Sequence, residues 1–514
     1  MHPFVHAGKF PDKPACIMGG SGETLTYGEL DRRSNQVAQL LRAHGLQRGD
    51  IVALCLENSP QYFEIAWGAQ RAGLYCTCIS SKLTGEEVEY ILTDSGAKLF
   101  ISSVELEDVA YAAVSKLPDI SCYMIGDGRA PFASYEKAVM AQPDTPISDQ
   151  SLGGLMLYSS GTTGRPKGVK RPLGEGDIAQ PDMVTEFSRL AYGVDESSVY
   201  LVPAPLYHAA PIGWSMAMQR LGATVVVMER FDPEQALELI QKYRITHAQF
   251  VPTHFIRMLK LSEEVRNKYD VSSLKVAIHA AAPCPVPVKE QMLEWWGPVI
   301  YEYYAGTEGN GLVAAGPEEW IRKKGTVGRA MGDTEVKICD EEGEPLPPRK
   351  EGAIYFAGGT SFEYHNDAEK TASSRNKHGW TTLGDVGYLD EEGYLFLTDR
   401  KSFMIISGGV NIYPQEIENL LVTHPKVADV AVIGAPDEEM GEKVVAVIQP
   451  MNWEDANDDL ADELRAFARS HLSGVKVPRQ FDFTKELPRA ATGKLYKRLI
   501  RDEYWGKSGS RIVQ

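Results

Sequence analysis

The segment Tyr158 to Gly168, YSSGTTGRPKG, follows the apolar run GGLMLY and combines residue types that suit one kind of chemistry. Ser159, Ser160, Thr162 and Thr163 carry hydroxyl donors, Gly161 and Gly164 leave backbone amides open to close approach, and Lys167 adds a point charge. Such a loop can surround the oxygens of a polyphosphate. It is not a Walker A loop, because no Gly-Lys-Ser/Thr follows at the required spacing and no helix obviously starts there.

The elements that must position this loop read as alternating strands and helices. Thr26-x-x-Glu29 and Thr84-x-x-Glu87 are capping boxes, each opening a helix whose apolar residues share a face. IVALCLEN and KLFISS read as the strands that follow. The rhythm resumes around Asp232 as N-cap and Pro233 at the first helical position, with Ile245 opening the next strand. Between Gly325 and Thr398 short β-like pieces alternate with Gly, Pro and Asp-Glu-Glu-Gly turns, so a small β-rich subdomain is expected. After Arg400 a helix near Pro414 to Val422, strands in VADVAVIG and KVVAVIQP, and a helix near Asp458 to Leu472 make a separate small α/β domain.

With 514 residues the chain needs about three folding units at roughly 150 residues each. Acidic residues outnumber basic ones 70 to 53, a net charge of −17 that argues against a nucleic-acid partner and requires any anionic ligand to find local cations. No apolar run approaches the roughly 18 residues of a membrane span. Seven cysteines are scattered without metal-ligand spacing, and neither a secretory signal nor a C-terminal targeting motif is visible. A cytoplasmic protein with reduced thiols is expected.

Five segments in order resemble the AMP-forming adenylating superfamily of acyl- and aryl-CoA synthetases, peptide-synthetase adenylation domains and luciferases. Tyr158 to Gly168 is similar to its phosphate loop and Tyr304-Ala305-Gly306-Thr307-Glu308 to its YGxTE element. Trp380 to Gly393 resembles its TGD segment, Thr398 to Gly409 its hinge and glycine loop, and PRAATGK at Pro488 to Lys494 its lysine loop. The resemblance implies an α/β fold: a large N-terminal domain, 1–401, of two α/β subdomains and a β-rich one, then a small mobile C-terminal domain, 402–514.

The resemblance also assigns roles. The nucleotide, ATP or AMP, is expected at Ser159 to Gly164, Lys167, Ala281, Ala282, Pro283, Glu302, Tyr303, Tyr304, Ala305, Thr307, Asp385, Arg400 and Lys494. Tyr304 would stack on adenine and Asp385 would accept the ribose hydroxyls, while Thr307 would offer a hydroxyl to the α-phosphate. Glu308 is the expected Mg²⁺ ligand. Lys494, Thr307, Glu308 and His208 form the catalytic set, Lys494 as the cation that stabilises charge during adenylate formation. The acyl pocket is expected at Tyr207, His208, Pro211, Trp214, Ala280 and Tyr303, within walls spanning Ala209 to Met218 and His279 to Ala282. Trp214, Met216 and Met218 imply an apolar acid. Ser402 is the hinge, and Ser407, Gly408, Gly409 and Val410 would meet coenzyme A.

The implied reaction joins a small-molecule carboxylic acid to ATP as an acyl-adenylate and then to CoA. The acid is a fatty, hydroxycinnamic or other aryl, or steroid side-chain acid. Three rivals stay open: an enzyme that passes the acyl group to a carrier protein, a luciferase-type oxygenase, and a nucleotide-binding regulator without catalysis. Ser402, Phe403 and Ala305 depart from the family's commonest residues, and Tyr303 is bulky where the acyl pocket is expected. A homodimer is left open.

Overall fold

The computed structural model describes residues 1–159, 166–400, 403–489 and 495–506, with the side chains of Ser159 and Arg400 outside that description. The two capping boxes start helices as their sequences predict. Thr26 N donates to Glu29 Oε2 at 2.9 Å and Glu29 N to Thr26 Oγ1 at 3.2 Å, opening Tyr27–Ala43. Thr84 and Glu87 repeat the exchange ahead of Gly85–Ser95. Each cap satisfies amides that the first turn leaves unpaired, worth about 1 kcal/mol.

Two large sheets follow from the alternation. A six-stranded parallel sheet has the order Ala133–Ser134, Ser121–Ile125, Leu99–Ser103, Ile51–Cys55, Tyr75–Ile79, Gly154–Leu155. A nine-stranded sheet has a parallel centre, Ile300–Tyr304, Val276–His279, His247–Phe250, Val199–Val202, Thr224–Val227 and Pro14–Met18, with antiparallel strands at both edges. Its Pro14–Met18 comes from the chain's start and pairs with Thr224–Val227, so the first 150 residues do not form a unit of their own. Helices Tyr27–Ala43, Gln61–Arg71 and Ala209–Arg220 contribute Val37, Trp67 and Met218 to one apolar core, with Trp67 Nε1 donating to Gln219 Oε1 at 2.7 Å.

The strand expected to open at Ile245 begins instead at His247. Arg244 takes a left-handed conformation and Ile245 N still donates to Ile240 O, so these residues close the preceding helix, Pro233–Tyr243. The β-rich region contains a four-stranded antiparallel sheet of Glu335–Cys339, Gly352–Ala357, Asp385–Leu389 and Leu395–Arg400. Beyond it, Val427–Asp437 and Gly441–Pro450 form a hairpin longer than the two expected strands, in a sheet with Val410–Ile412, Ile405–Ser407 and Gln480–Phe483. Helices Pro414–Leu421 and Asp458–His471 pack within this region. The expected boundary between 401 and 402 falls on residues outside those described.

One buried ion pair ties the nine-stranded sheet to the helix that crosses it. Lys289 Nζ, on Val286–Trp296, donates to Glu302 Oε2 on Ile300–Tyr304 at 2.6 Å, with both side chains buried. Lys289→Met alone is expected to destabilise the protein by about 3–5 kcal/mol, because it leaves Glu302 buried and unpaired. Adding Glu302→Leu should recover most of that loss in urea unfolding; a double variant as unstable as the single one would mean the pair is not the source.

Candidate active site

The strand Ile300–Tyr304 alternates its side chains between two different chemistries. Tyr303 faces the helix Ala209–Arg220 and its hydroxyl accepts hydrogen bonds from Trp214 Nε1 at 3.2 Å and Gln249 Nε2 at 2.9 Å. Burial pushes its phenol up to about 12, which keeps it neutral. Glu302 faces the other way, toward Lys289, and His279 Nε2 lies 3.4 Å from the same carboxylate oxygen. Burial first, and then the Lys289 charge, drive the His279 imidazole well below its ordinary value, so it stays neutral.

At the end of this strand the expected nucleotide residues converge. Tyr304 OH donates to Asp385 Oδ2 at 2.7 Å, and its ring stacks against Phe356 with centroids 5.9 Å apart. Glu308 is buried and accepts from Tyr364 OH at 2.7 Å. Lys167 is paired with Asp367. The phosphate loop joins two antiparallel strands, Leu157–Ser159 and Lys167–Lys170, so the segment after it is a strand and not the helix of a Walker A loop. Ala281 has φ of 74°, a left-handed conformation that costs a non-glycine residue roughly 1–2 kcal/mol. Strain of that kind is held where surrounding structure fixes it, often at ligand sites.

These groups line one cavity of about 2070 Å³. Tyr304, Ala305, Thr307, Glu308, Asp385, Lys167 and Ala281 to Pro283 border it, and so do Tyr207, His208, Pro211, Trp214, Ala280 and Tyr303. Glu302 reaches the wall, but its carboxylate is committed to Lys289 and does not face the nucleotide corner. Five residues of the expected acyl walls do not line the cavity: Ile212, Ser215, Ala217, Met218 and His279 are buried in the core behind it. Met216, two residues before Met218 on the same helix, does border the cavity. His208 sits at the start of that helix with its ring 4.4 Å from Tyr207.

Ser160, Gly161, Thr162, Thr163, Gly164, Ser402 and Lys494 lie outside the described residues, as do the side chains of Ser159 and Arg400. Arg489, Leu495 and Tyr496, which flank Lys494 in sequence, border the cavity. Ser407 to Val410 do not: Gly408 and Gly409, both at positive φ, make the two-residue turn between Ile405–Ser407 and Val410–Ile412, away from the cavity wall. Sequence reasoning missed Tyr364, Gln249 and the wall formed by helix Met183–Tyr192, through Val184 and Phe187. None has a local signal, because each meets the site through a contact distant in sequence.

The chain matches the AMP-binding enzyme family over residues 4–363 and the AMP-binding enzyme C-terminal domain over residues 416–494. It is 33% identical to a feruloyl-CoA synthase of Amycolatopsis sp, covering 98% of each chain. It is 32% identical to a fatty acid–[acyl-carrier-protein] ligase of Streptomyces coeruleorubidus, covering 99% of this chain and 96% of that one. Among solved structures, the o-succinylbenzoate CoA synthetase of Bacillus subtilis, in complex with its acyl-adenylate intermediate, superimposes with a TM-score of 0.80 at 27% identity and 97% coverage of both chains. With a family match over most of its length and relatives above 30% identity from end to end, the chain belongs to the AMP-binding enzymes, the adenylate-forming superfamily that its five motifs resemble.

Proposed function

We propose that the protein is an AMP-forming acid–thiol ligase that activates an apolar carboxylic acid with ATP and transfers it to coenzyme A. The observation that carries this reading is the single cavity in which the Tyr304–Asp385 corner opens onto the apolar chamber of Trp214, Met216 and Phe187. An acid lying in the chamber would present its carboxylate toward Thr307 and His208, which both border the cavity. Its oxygen attacks the α-phosphorus of ATP, the bond to the β-phosphate oxygen breaks, and pyrophosphate leaves. The thiol sulfur of CoA then attacks the acyl carbon, the acyl–oxygen bond breaks, AMP leaves, and the thiol proton passes to solvent. Positioning and charge neutralisation suffice for such chemistry, so no nucleophilic side chain is needed.

In this reading Asp385 accepts from the ribose hydroxyls, Tyr304 flanks adenine, and Ser159 to Gly164 with Lys167 hold the phosphates. Glu308 would hold Mg²⁺, which neutralises phosphate charge when bound. The described residues contain no cluster of three metal-ligating side chains, and a single hard carboxylate suits an ion that takes its other ligands from phosphate and water. Residues 1–401 are proposed as the body and 402–514 as a cap that turns about Ser402. The cavity is bordered by Arg489 and Tyr496, with Ser407 to Val410 away from it, an arrangement that supports the adenylate-forming half-reaction. Fatty, hydroxycinnamic and steroid side-chain acids all suit the chamber. A carrier-protein thiol is the second reading for the acceptor, favoured by the relative that acts on one.

AMP release that requires ATP, an apolar acid and CoA together is the expected result; release that needs a carrier protein and ignores CoA would replace CoA as acceptor. Lys494→Ala should lower acid-dependent pyrophosphate exchange by roughly 100-fold or more, the scale of losing one transition-state charge partner. Thioester formation from a supplied acyl-adenylate should persist, and intact exchange with a failed thioester step would remove Lys494 from the first half-reaction. Trp214→Ala should shift preference to bulkier acids and lower kcat/KM on the best wild-type acid by roughly 10-fold or more, the scale of one misplaced methylene in an apolar pocket.

A further inference from the structure

Tyr303 holds a hydroxyl whose oxygen is engaged and whose proton is not. The oxygen accepts from Trp214 Nε1 at 3.2 Å and from Gln249 Nε2 at 2.9 Å. Both partners are donors, and an indole N–H can be nothing else. Among the described residues no group accepts the phenol's own proton. Tyr192 and Tyr301, the other phenols of this aromatic cluster, make no hydrogen bond to it. Burial holds the phenol at about 12, so the proton is in place at neutral pH.

A second phenol fixes the direction of the Gln249 amide, whose two ends are otherwise interchangeable. Tyr200 OH donates to Gln249 Oε1 at 3.3 Å. Turned end for end, the amide would take the Tyr303 proton and donate to Tyr200, and the Tyr200 proton would lose its acceptor. Tyr200 is fully buried and does not border the cavity, so neither water nor a ligand could replace that acceptor. In the orientation present, the unpaired proton falls instead on Tyr303, which borders the cavity together with Trp214 and Gln249. There a ligand can accept it.

The sheet directs this hydroxyl away from the expected nucleotide residues. Gln249 lies on His247–Phe250, which is separated from Ile300–Tyr304 by the strand Val276–His279. The Tyr303 and Gln249 side chains therefore meet across two strand spacings, about 10 Å. The chain after Tyr304 turns the other way, to Val313–Ala315, which pairs along the opposite edge of Ile300–Tyr304. Thr307 and Glu308 lie on that connection. An acid activated beside Thr307 thus meets the Tyr303 hydroxyl through its frame and not through its reacting carboxylate.

We propose that Tyr303 is a specificity-determining residue for the acid substrate, and that the preferred acids carry an acceptor oxygen, as a carbonyl, ether or hydroxyl, on the apolar frame where it meets the phenol. A hydrocarbon at that place seals the proton from water without giving it an acceptor, which penalises the acid that carries it. An oxygen there takes the proton, and a site built around such a bond discriminates more sharply than an apolar pocket does. The two donors held on the phenol oxygen polarise its O–H and strengthen the bond it gives. This inference rests on the acid-ligase reading and narrows its substrate class.

ATP- and CoA-dependent AMP release with matched acids tests it: ring-methoxy against ring-ethyl aryl acids, and straight-chain acids with one methylene replaced by an ether oxygen, scanned along the frame. The wild type should favour the oxygen-bearing member at the position that reaches Tyr303. In Tyr303→Phe the oxygen-to-methylene ratio of kcat/KM at that position should fall roughly 5- to 100-fold, the scale of a buried donor that loses its acceptor. Gln249→Glu should lower it too, because the carboxylate takes the Tyr303 proton while the ring stays. A ratio that survives in both variants, or a wild type that favours the hydrocarbon member at every position, overturns the proposal. So does an equal loss with both members of each pair, which would assign the hydroxyl to the activated carboxylate or, with a raised KM for ATP, to the nucleotide. Absence of AMP release by the wild type with any acid would instead overturn the ligase reading.

Discussion

Glu302 and Lys289 meet without water between the strand Ile300–Tyr304 and the helix Val286–Trp296, and the geometry of the site follows from where that contact holds the strand. Burial alone would push the Glu302 carboxyl toward neutrality, and Lys289 opposes it. Because side chains alternate along a strand, fixing Glu302 on one face fixes Tyr303 on the other, against Trp214 and Gln249. The next residue, Tyr304, then stands at the strand's end beside Asp385. A slip of one residue would exchange the acyl wall for the ion pair, burying a carboxylate against Trp214 and exposing a tyrosine to Lys289. The ion pair thus selects register more than it adds stability, since buried pairs often do little better than apolar replacements.

Much of this was legible in the sequence because it depends on short-range chemistry. Capping boxes at Thr26 and Thr84, the Asp232 and Pro233 start, and the turn-rich β segment each carry their cause within a few residues. The family resemblance adds what spacing alone does not, bringing Tyr304, Asp385 and Glu308 into one site before any fold is known. The rest depends on contacts between distant parts of the chain. Pro14–Met18, with its neighbour Thr24–Thr26, enters a sheet whose remaining strands begin after residue 198, a pairing no local pattern encodes. Met216 and Met218 differ by two positions on one helix, yet one borders the cavity and the other is sealed in the core. Helical geometry turns residues two apart to different faces, so composition marked the segment as apolar without saying which side meets the ligand.

The same distinction explains Tyr303. A bulky aromatic near the expected pocket suggests either a shortened chamber or a stacking surface. The structure adds that its hydroxyl is held by two donors, from Trp214 and Gln249, so the ring cannot swing aside without leaving buried groups unpaired. In the proposed reading this stiffens the part of the chamber that Tyr303 borders, so shape discrimination would come from rotamers locked by hydrogen bonds as well as from volume.

The net charge of −17 poses an electrostatic problem for an enzyme whose family ligands are polyanions. Most cations around the cavity are already neutralised internally: Lys167 by Asp367, Arg489 by Asp429 and Lys497 by Glu418. A phosphate group arriving at Lys167 must therefore compete with a carboxylate of the protein, and only the difference between the two interactions appears as affinity. Such internal pairing stabilises the ligand-free protein and weakens nonspecific attraction of anions by a field that is already repulsive.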